Sequence, residues 1–497
     1  MILTAMQPEK SHPLHRSASR SVSCAANRFD NRSVSRAAGH VAHRVAAIVC
    51  FAISCCFCFP NRAAAAVWHV APDGDDAAAG SLAKPFATVQ RAQKAASPGD
   101  TVYLRGGVYK MQEAQIARRD GIFAYLMVLD KSGEKGKPIT YAAYQDEKPV
   151  FDCTDVKPAN CRVDAFLVSG SWLHLRGIDV TGVQVTITGH TQSICFEVHG
   201  DNNIFERLTM HDGQAIGVYL ARRASQNLIL NCDAWNNWDY TSEGGAGGNA
   251  DGFGCHGDGA GNIFRGCRAW YNSDDGFDCI NQAQAVVFED CWAFYNGLNK
   301  AGKSLGDGNG FKAGGYGIRN SNVPNPIPRN TVRNCIAVRN KVSGFYANHH
   351  PGGGDWYNNS AYANGRANYN FLCHKPDPDK TKRGVDIPGA GHVIRNNLSH
   401  GTPPDRAVIQ LAATGNQIDH NAFPPGMVLS DSDFESLDET QLTAPRQPGG
   451  GLPKLTFLKP KAGTPLIGAG VNVGLPFAGE APDIGAISQS PEKGNRN

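Results

Sequence analysis

The sequence has no apolar run of membrane-spanning length, no surplus of positive charge outside its first 66 residues, and no CxxC pair after residue 66. Each absence removes a class of function. The apolar run at residues 45–59 falls short of the roughly 20 residues that a membrane helix needs. It follows arginines at 16, 20, 28, 32, 36 and 44 and precedes Ala63-Ala64-Ala65-Ala66, which is the plan of an export signal. That segment holds eight of the 48 Lys/Arg and two of the 45 Asp/Glu, leaving 40 basic against 43 acidic side chains and a formal charge of −3. General nucleic-acid binding therefore has no compositional support.

Ten of the fifteen cysteines lie beyond residue 66. In an exported chain this would ordinarily mean disulfides, and Cys153 with Cys161 is the best candidate pair. The rest read as small core hydrophobes. Zinc at Cys255 and Cys279 is the alternative, and the missing CxxC partners stand against it.

What the chain has instead is a repeated phrase. Asp251-Gly-Phe-Gly-Cys, Asp275-Gly-Phe-Asp-Cys, Asn309-Gly-Phe-Lys-Ala and Ser343-Gly-Phe-Tyr-Ala keep Gly-Phe and vary around it. The first two copies are 24 residues apart and the next gap is 34, swollen by the polar insertion at 297–307. A period near 24 is one coil of a parallel β-solenoid. A second column keeps the same register: Cys232, Cys267, Cys291, Cys335 and then Asn359 are each followed five residues later by Asn237, Asn272, Asn296, Asn340 and Asn364.

Strand alternation assigns directions. With Phe253, Phe277, Phe311 and Phe345 pointing inward, Cys255, Cys279, Ala313 and Ala347 point inward as well. Gly254, Asp278, Lys312 and Tyr346 must then face solvent in one column. Stacked strands lie roughly 4.8 Å apart, so Asp278 and Lys312 become neighbours.

The expected organisation is an export region at 1–66, an N-terminal cap and first coil at 67–137, the solenoid with its site at 138–425, and an irregular C-terminal segment at 426–497 packing on the solenoid. Phe86, Val89, Ala92 and Ala96 recur at helical spacing and predict a short amphipathic capping helix. The 56 glycines suit a fold rich in tight turns.

Asp251, Asp274, Asp275 and Asp278 should gather on two adjacent coils. Carboxylates at that density repel one another unless protons or a cation intervene, and an oxygen-only donor set favours Ca2+. The plain alternative is that these are turn residues. Beside a divalent cation the ammonium form of Lys312 is disfavoured, so its pKa should fall and it becomes a candidate general base. The pair suits removal of the proton α to a uronate carboxylate, with β-elimination across the glycosidic bond.

Asn249-Ala-Asp-Gly-Phe, the stretch Gly261 to Asp278 and Gly308-Asn-Gly-Phe-Lys-Ala-Gly-Gly resemble the pectate lyases of polysaccharide lyase family nine. The opening Trp68 to Tyr109 and the tail Pro482-Asp-Ile-Gly-Ala are also similar to that family. The resemblance implies a right-handed parallel β-helix, calcium at Asp251, Asp274, Asp275 and Asp278, and Lys312 as base in a secreted calcium-dependent enzyme acting on polygalacturonate. Departures such as Ala313 and Phe277 touch the core. Arg265, Arg268, Arg319 and Arg339 are suited either to uronate carboxylates or to the solvated face, and are left unassigned.

Two rivals remain: a hydrolase using Asp274, Asp275 and Asp278 as acid and base, and a non-catalytic carbohydrate-binding β-helix with a structural calcium. The first leaves Lys312 without a role; the second makes it dispensable. An extracellular monomer is expected, with the periplasm as the alternative location, and no membrane association once the signal is removed.

Overall fold

The computed structural model describes residues 65–317, 323–379, 382–424 and 426–489. The export region, apart from its last two residues, and Arg319 lie outside the described residues. Residues 67–419 wind into stacked coils whose strands form three long sheets of 12, 10 and 11 strands. Every pairing in the first two sheets is parallel, and the third adds one antiparallel strand, Arg118–Asp120, at its N-terminal edge. An antiparallel hairpin of Leu372–Lys375 and Val385–Pro388 stands apart as a fourth sheet.

The two sequence columns became two ladders. Phe253, Phe277, Phe311 and Phe345 stack inside with successive ring centroids 5.0, 4.7 and 5.1 Å apart. In the turn beside the second sheet, Asn237, Asn272, Asn296, Asn340 and Asn364 pass amide hydrogen bonds from coil to coil at 3.0–3.1 Å. These side chains are almost wholly buried. Left unbonded, each would cost about 1–3 kcal/mol, so the ladder is stable only in register.

The ten cysteines among the described residues are free thiols, which corrects the expected Cys153–Cys161 bridge. Cys153 packs in the solenoid core, whereas Cys161 takes a contact from Arg119 Nη1 and donates to the Ala159 carbonyl at 3.4 Å. The two serve separate surroundings. Cys279 Sγ donates to the Cys255 carbonyl at 3.3 Å, and no cysteine takes part in a metal-competent cluster among the described residues.

The capping helix forms at Val89–Ala95. Thr88 caps it by accepting from Arg91 N–H, and Asp76 holds Thr88 through both its amide and its hydroxyl. Phe86, Val89, Ala92 and Ala96 are all buried against the first coils. Gln93 donates to the Val128 carbonyl and accepts from Asp130 N–H, fixing the helix to the third sheet.

At the other end, Phe434, Leu442, Phe457, Leu466 and Ile484 cover Trp292, Phe294, Ile336, Val338 and Leu398 on the outside of the second sheet. Asp233 binds both Arg268 (2.8 Å) and Arg446 (2.6 Å), while Arg268 Nη1 also donates to the Leu442 and Ala444 carbonyls. Burial works against the Asp233 carboxylate, yet the two guanidinium groups outweigh it and hold its pKa below the ordinary value.

Asp233→Ala is expected to strand two largely buried cations and destabilise the chain by about 3–5 kcal/mol. The shift should be visible in a denaturant midpoint, together with new proteolytic cuts after residue 426. Because the folded pKa is depressed, the stabilisation is complete above about pH 3.9 and is lost as pH falls through the lower folded value.

Candidate active site

The recurring Gly-Phe has a steric cause. A Cβ on Gly252 would lie 2.6 Å from the Gly276 carbonyl oxygen, one on Gly276 2.7 Å from that of Gly310, and one on Gly310 2.6 Å from that of Gly344. Glycine alone lets successive coils approach this closely at the entry to the third sheet. The residue before each glycine then ties coil to coil. Asp251 Oδ1 accepts from Asp275 N–H at 3.0 Å, and Asp275 Oδ1 accepts from Asn309 N–H (2.6 Å) and Nδ2 (2.8 Å).

On the outer face of this sheet, Tyr219, Gly254, Asp278, Lys312, Tyr346 and Asn370 are consecutive partners in register. The column is outward as expected, but it is not solvated: the side chains of Asp278 and Lys312 are only 7% and 15% exposed. Neighbours close over it. The Tyr219 ring occupies the space that a Gly254 side chain would need, and the Tyr219 hydroxyl meets His256 Nδ1 at 3.0 Å.

Lys312 Nζ lies 3.0 Å from Asp275 Oδ2 and 3.2 Å from Asp278 Oδ2. Carboxylate oxygens of Asp251, Asp275 and Asp278 all fall within 4.8 Å of one another. Asp274 stands outside this tightest group, with its Oδ1 accepting from Asp307 N–H at 2.9 Å, but it is the strongest charged neighbour of Asp251. Asp307 itself comes from the 297–307 insertion, and its charge adds to the repulsion on Asp274 and Asp275.

Burial first, and then mutual repulsion, push the pKa values of Asp251 and Asp274 well above the ordinary carboxylate range and raise that of Asp275, against the pull of Lys312. Asp278 goes the other way. Burial opposes its charge, but Lys312 and His256 outweigh it and hold its pKa down. For Lys312, burial opposes the ammonium while four aspartates favour it, and the net result is a pKa well above the usual value. This reverses the fall expected beside a cation: with carboxylates alone as neighbours, the proton stays on the lysine.

Sequence reasoning missed His256, whose Nε2 stands 3.7 Å from Asp278 Oδ2. Its position two residues after Gly254 put it on the outer face, a signal that the alternation already contained. Of the unassigned arginines, the three among the described residues are ion-paired: Arg265 with Glu289, Arg268 with Asp233, and Arg339 with Glu439.

The family model described as "Pel9A-like, right handed beta helix region" matches residues 68–391. Pectate lyase L of Dickeya chrysanthemi is 34% identical over 433 residues, covering 85% of this chain and 91% of the relative. Pectate lyase PEL9 of Emericella nidulans is 28% identical, covering 82% and 94%. Among solved structures, a rhamnogalacturonan lyase is 42% identical with a TM-score of 0.76, covering 80% of this chain and 96% of the other. Pectate lyase Pel9A is 31% identical with a TM-score of 0.68, covering 86% and 96%. A right-handed parallel β-helix with these relatives is a polysaccharide lyase, an enzyme for acidic polysaccharides. More narrowly, the chain belongs to the Pel9A-like family.

The close approach at the glycines gives a test of how the site is built. Gly276→Ala should force the coils apart beside Asp275 and cost about 1–3 kcal/mol, read as a lowered thermal midpoint, whereas Gly189→Ala, with open space around its Cβ and no left-handed backbone, should cost less.

Proposed function

We propose that this chain is a secreted, calcium-dependent lyase that cleaves polygalacturonate by β-elimination, with Lys312 as the general base. The observation that carries the reading is a lysine within 3.2 Å of two buried aspartates in a cluster whose charges are not balanced. Asp278 Oδ1 is buried without a hydrogen-bond donor, Asp275 Oδ2 has the Lys312 ammonium at 3.0 Å as its ion-pair partner, and Asp251 and Asp274 carry raised pKa values. An oxygen-only donor set with an orphaned atom fits a hard divalent cation.

Asp251, Asp274, Asp275 and Asp278 would hold the ion. Bound calcium supplies a partner for the substrate carboxylate and stabilises the charge that builds there as the α-proton leaves. The chain's own part is the proton. Once the aspartate charge is satisfied elsewhere, Lys312 loses what keeps it protonated, and its free amine takes the proton from C5 of the uronate. The electron pair forms the C4–C5 double bond, the C4–O4 glycosidic bond breaks, and the departing oxygen is protonated. Asp278 holds Lys312 in place from the adjacent coil.

A second reading of the substrate is favoured by the 42% identity to a rhamnogalacturonan lyase: a galacturonate backbone alternating with a neutral sugar, cleaved by the same elimination. Both polymers should be incubated with the mature protein, with calcium or with chelator, while following absorbance of the new C4–C5 double bond. Absorbance confined to calcium and polygalacturonate supports the first reading; preference for rhamnogalacturonan supports the second. Reducing ends without absorbance would mean hydrolysis.

Lys312→Ala should lower kcat by roughly 10²–10⁴-fold without weakening calcium binding, because it removes a cation from the carboxylate cluster. Asp278→Ala should weaken calcium binding in a calorimetric titration. Equal losses of affinity in the two variants would contradict this division of roles.

A further inference from the structure

A second cluster lies on the far side of Tyr346 from Lys312. His349 comes three residues after Tyr346, where Asn348 and His349 both take left-handed backbone with φ of 50° and 62°. That turn lays His349 beside the antiparallel hairpin: its N–H donates to the Leu372 carbonyl at 2.8 Å, and it bridges to Cys373. Within the hairpin, His374 and Asp386 are directly paired across the strands, so their side chains share a face.

Two imidazoles and a carboxylate thus converge from three neighbouring segments. His374 Nδ1 is 3.0 Å and His349 Nε2 is 3.4 Å from the same oxygen, Asp386 Oδ1. Ligands about 2.0–2.1 Å from a tetrahedral zinc are separated by about 3.3 Å, so these distances suit the edges of such a site. His349 Nδ1, the ring atom not used, meets the Tyr346 hydroxyl at 3.2 Å, which is the outer partner that fixes a ligating histidine. Arg383 approaches only the other oxygen, Oδ2, at 3.8 Å.

We propose that His349 Nε2, His374 Nδ1 and Asp386 Oδ1 form a binding site for a divalent transition cation of the zinc type, distinct from the aspartate cluster. Two nitrogens and one oxygen select a borderline cation over calcium. Asp386 is 42% exposed, so a fourth position opens to solvent. With the cation bound, the hairpin is clamped to the coil that carries Tyr346, the next residue in the column after Lys312.

The rival explanation is a plain hydrogen-bond network that pins the hairpin without metal. Chelator-stripped mature protein, held in excess calcium, should be titrated with Zn2+ by calorimetry and with Co2+ by visible spectroscopy. The expected result is one equivalent per chain and the absorption bands of four-coordinate Co2+. Asp386→Asn, at an exposed position that tolerates change, and His349→Ala should each weaken binding at least tenfold. Asp278→Ala should leave it intact. No binding to the parent protein, equal binding by all variants, or displacement of zinc by calcium would overturn the proposal.

Discussion

Parallel stacking in register is the constraint on which the rest of this molecule depends. Each coil's amides are satisfied by the next coil's carbonyls, at a spacing of roughly 4.8 Å, so equivalent residues become nearest neighbours. Inside, that is favourable. Phenylalanines stack at 4.7–5.1 Å, and asparagines donate and accept along one line. Either ladder would be disrupted by a slip of one residue, because alternate side chains would exchange faces.

The same rule is costly where the repeated residue is acidic. Asp251 and Asp275 occupy equivalent positions in successive coils, and each uses one oxygen to bind the next coil's amide. Asn309 takes the third position and keeps that hydrogen bond, its Oδ1 accepting from Ser343 N–H at 3.2 Å, without adding charge. An asparagine would therefore have served the scaffold at all three positions. Aspartate at two of them adds repulsion that this hydrogen bond does not require, which is the ground for proposing a functional role there.

This distinction also marks what could be read from the sequence. The coil period, the inward phenylalanines, the asparagine line and the adjacency of Asp278 and Lys312 all follow from spacing and alternation, which are local. The capping helix followed from four apolar residues at helical spacing. Burial of the outer column did not. It depends on Tyr219 lying over Gly254 and on His256 turning toward Asp278, and these are contacts between coils. The His349 cluster was invisible for the same reason: the hairpin that bears His374 and Asp386 interrupts the repeat, so no column announces it. Arg268 could not be assigned from the sequence, since its partners Asp233 and Leu442 lie 35 and 174 residues away.

The charge state of Lys312 shows why the site's parts are not separable. Against the effect of burial, the aspartates hold the Lys312 pKa well above its usual value, while burial and then mutual repulsion raise those of Asp251 and Asp274. On the proposed reading a divalent cation would change both at once, satisfying the carboxylates and removing the field that holds the proton on the amine. Under the proposed mechanism that repulsion would act as a gate, because Lys312 could serve as the base only with the ion in place. A column of asparagines would stack as well and leave nothing to gate.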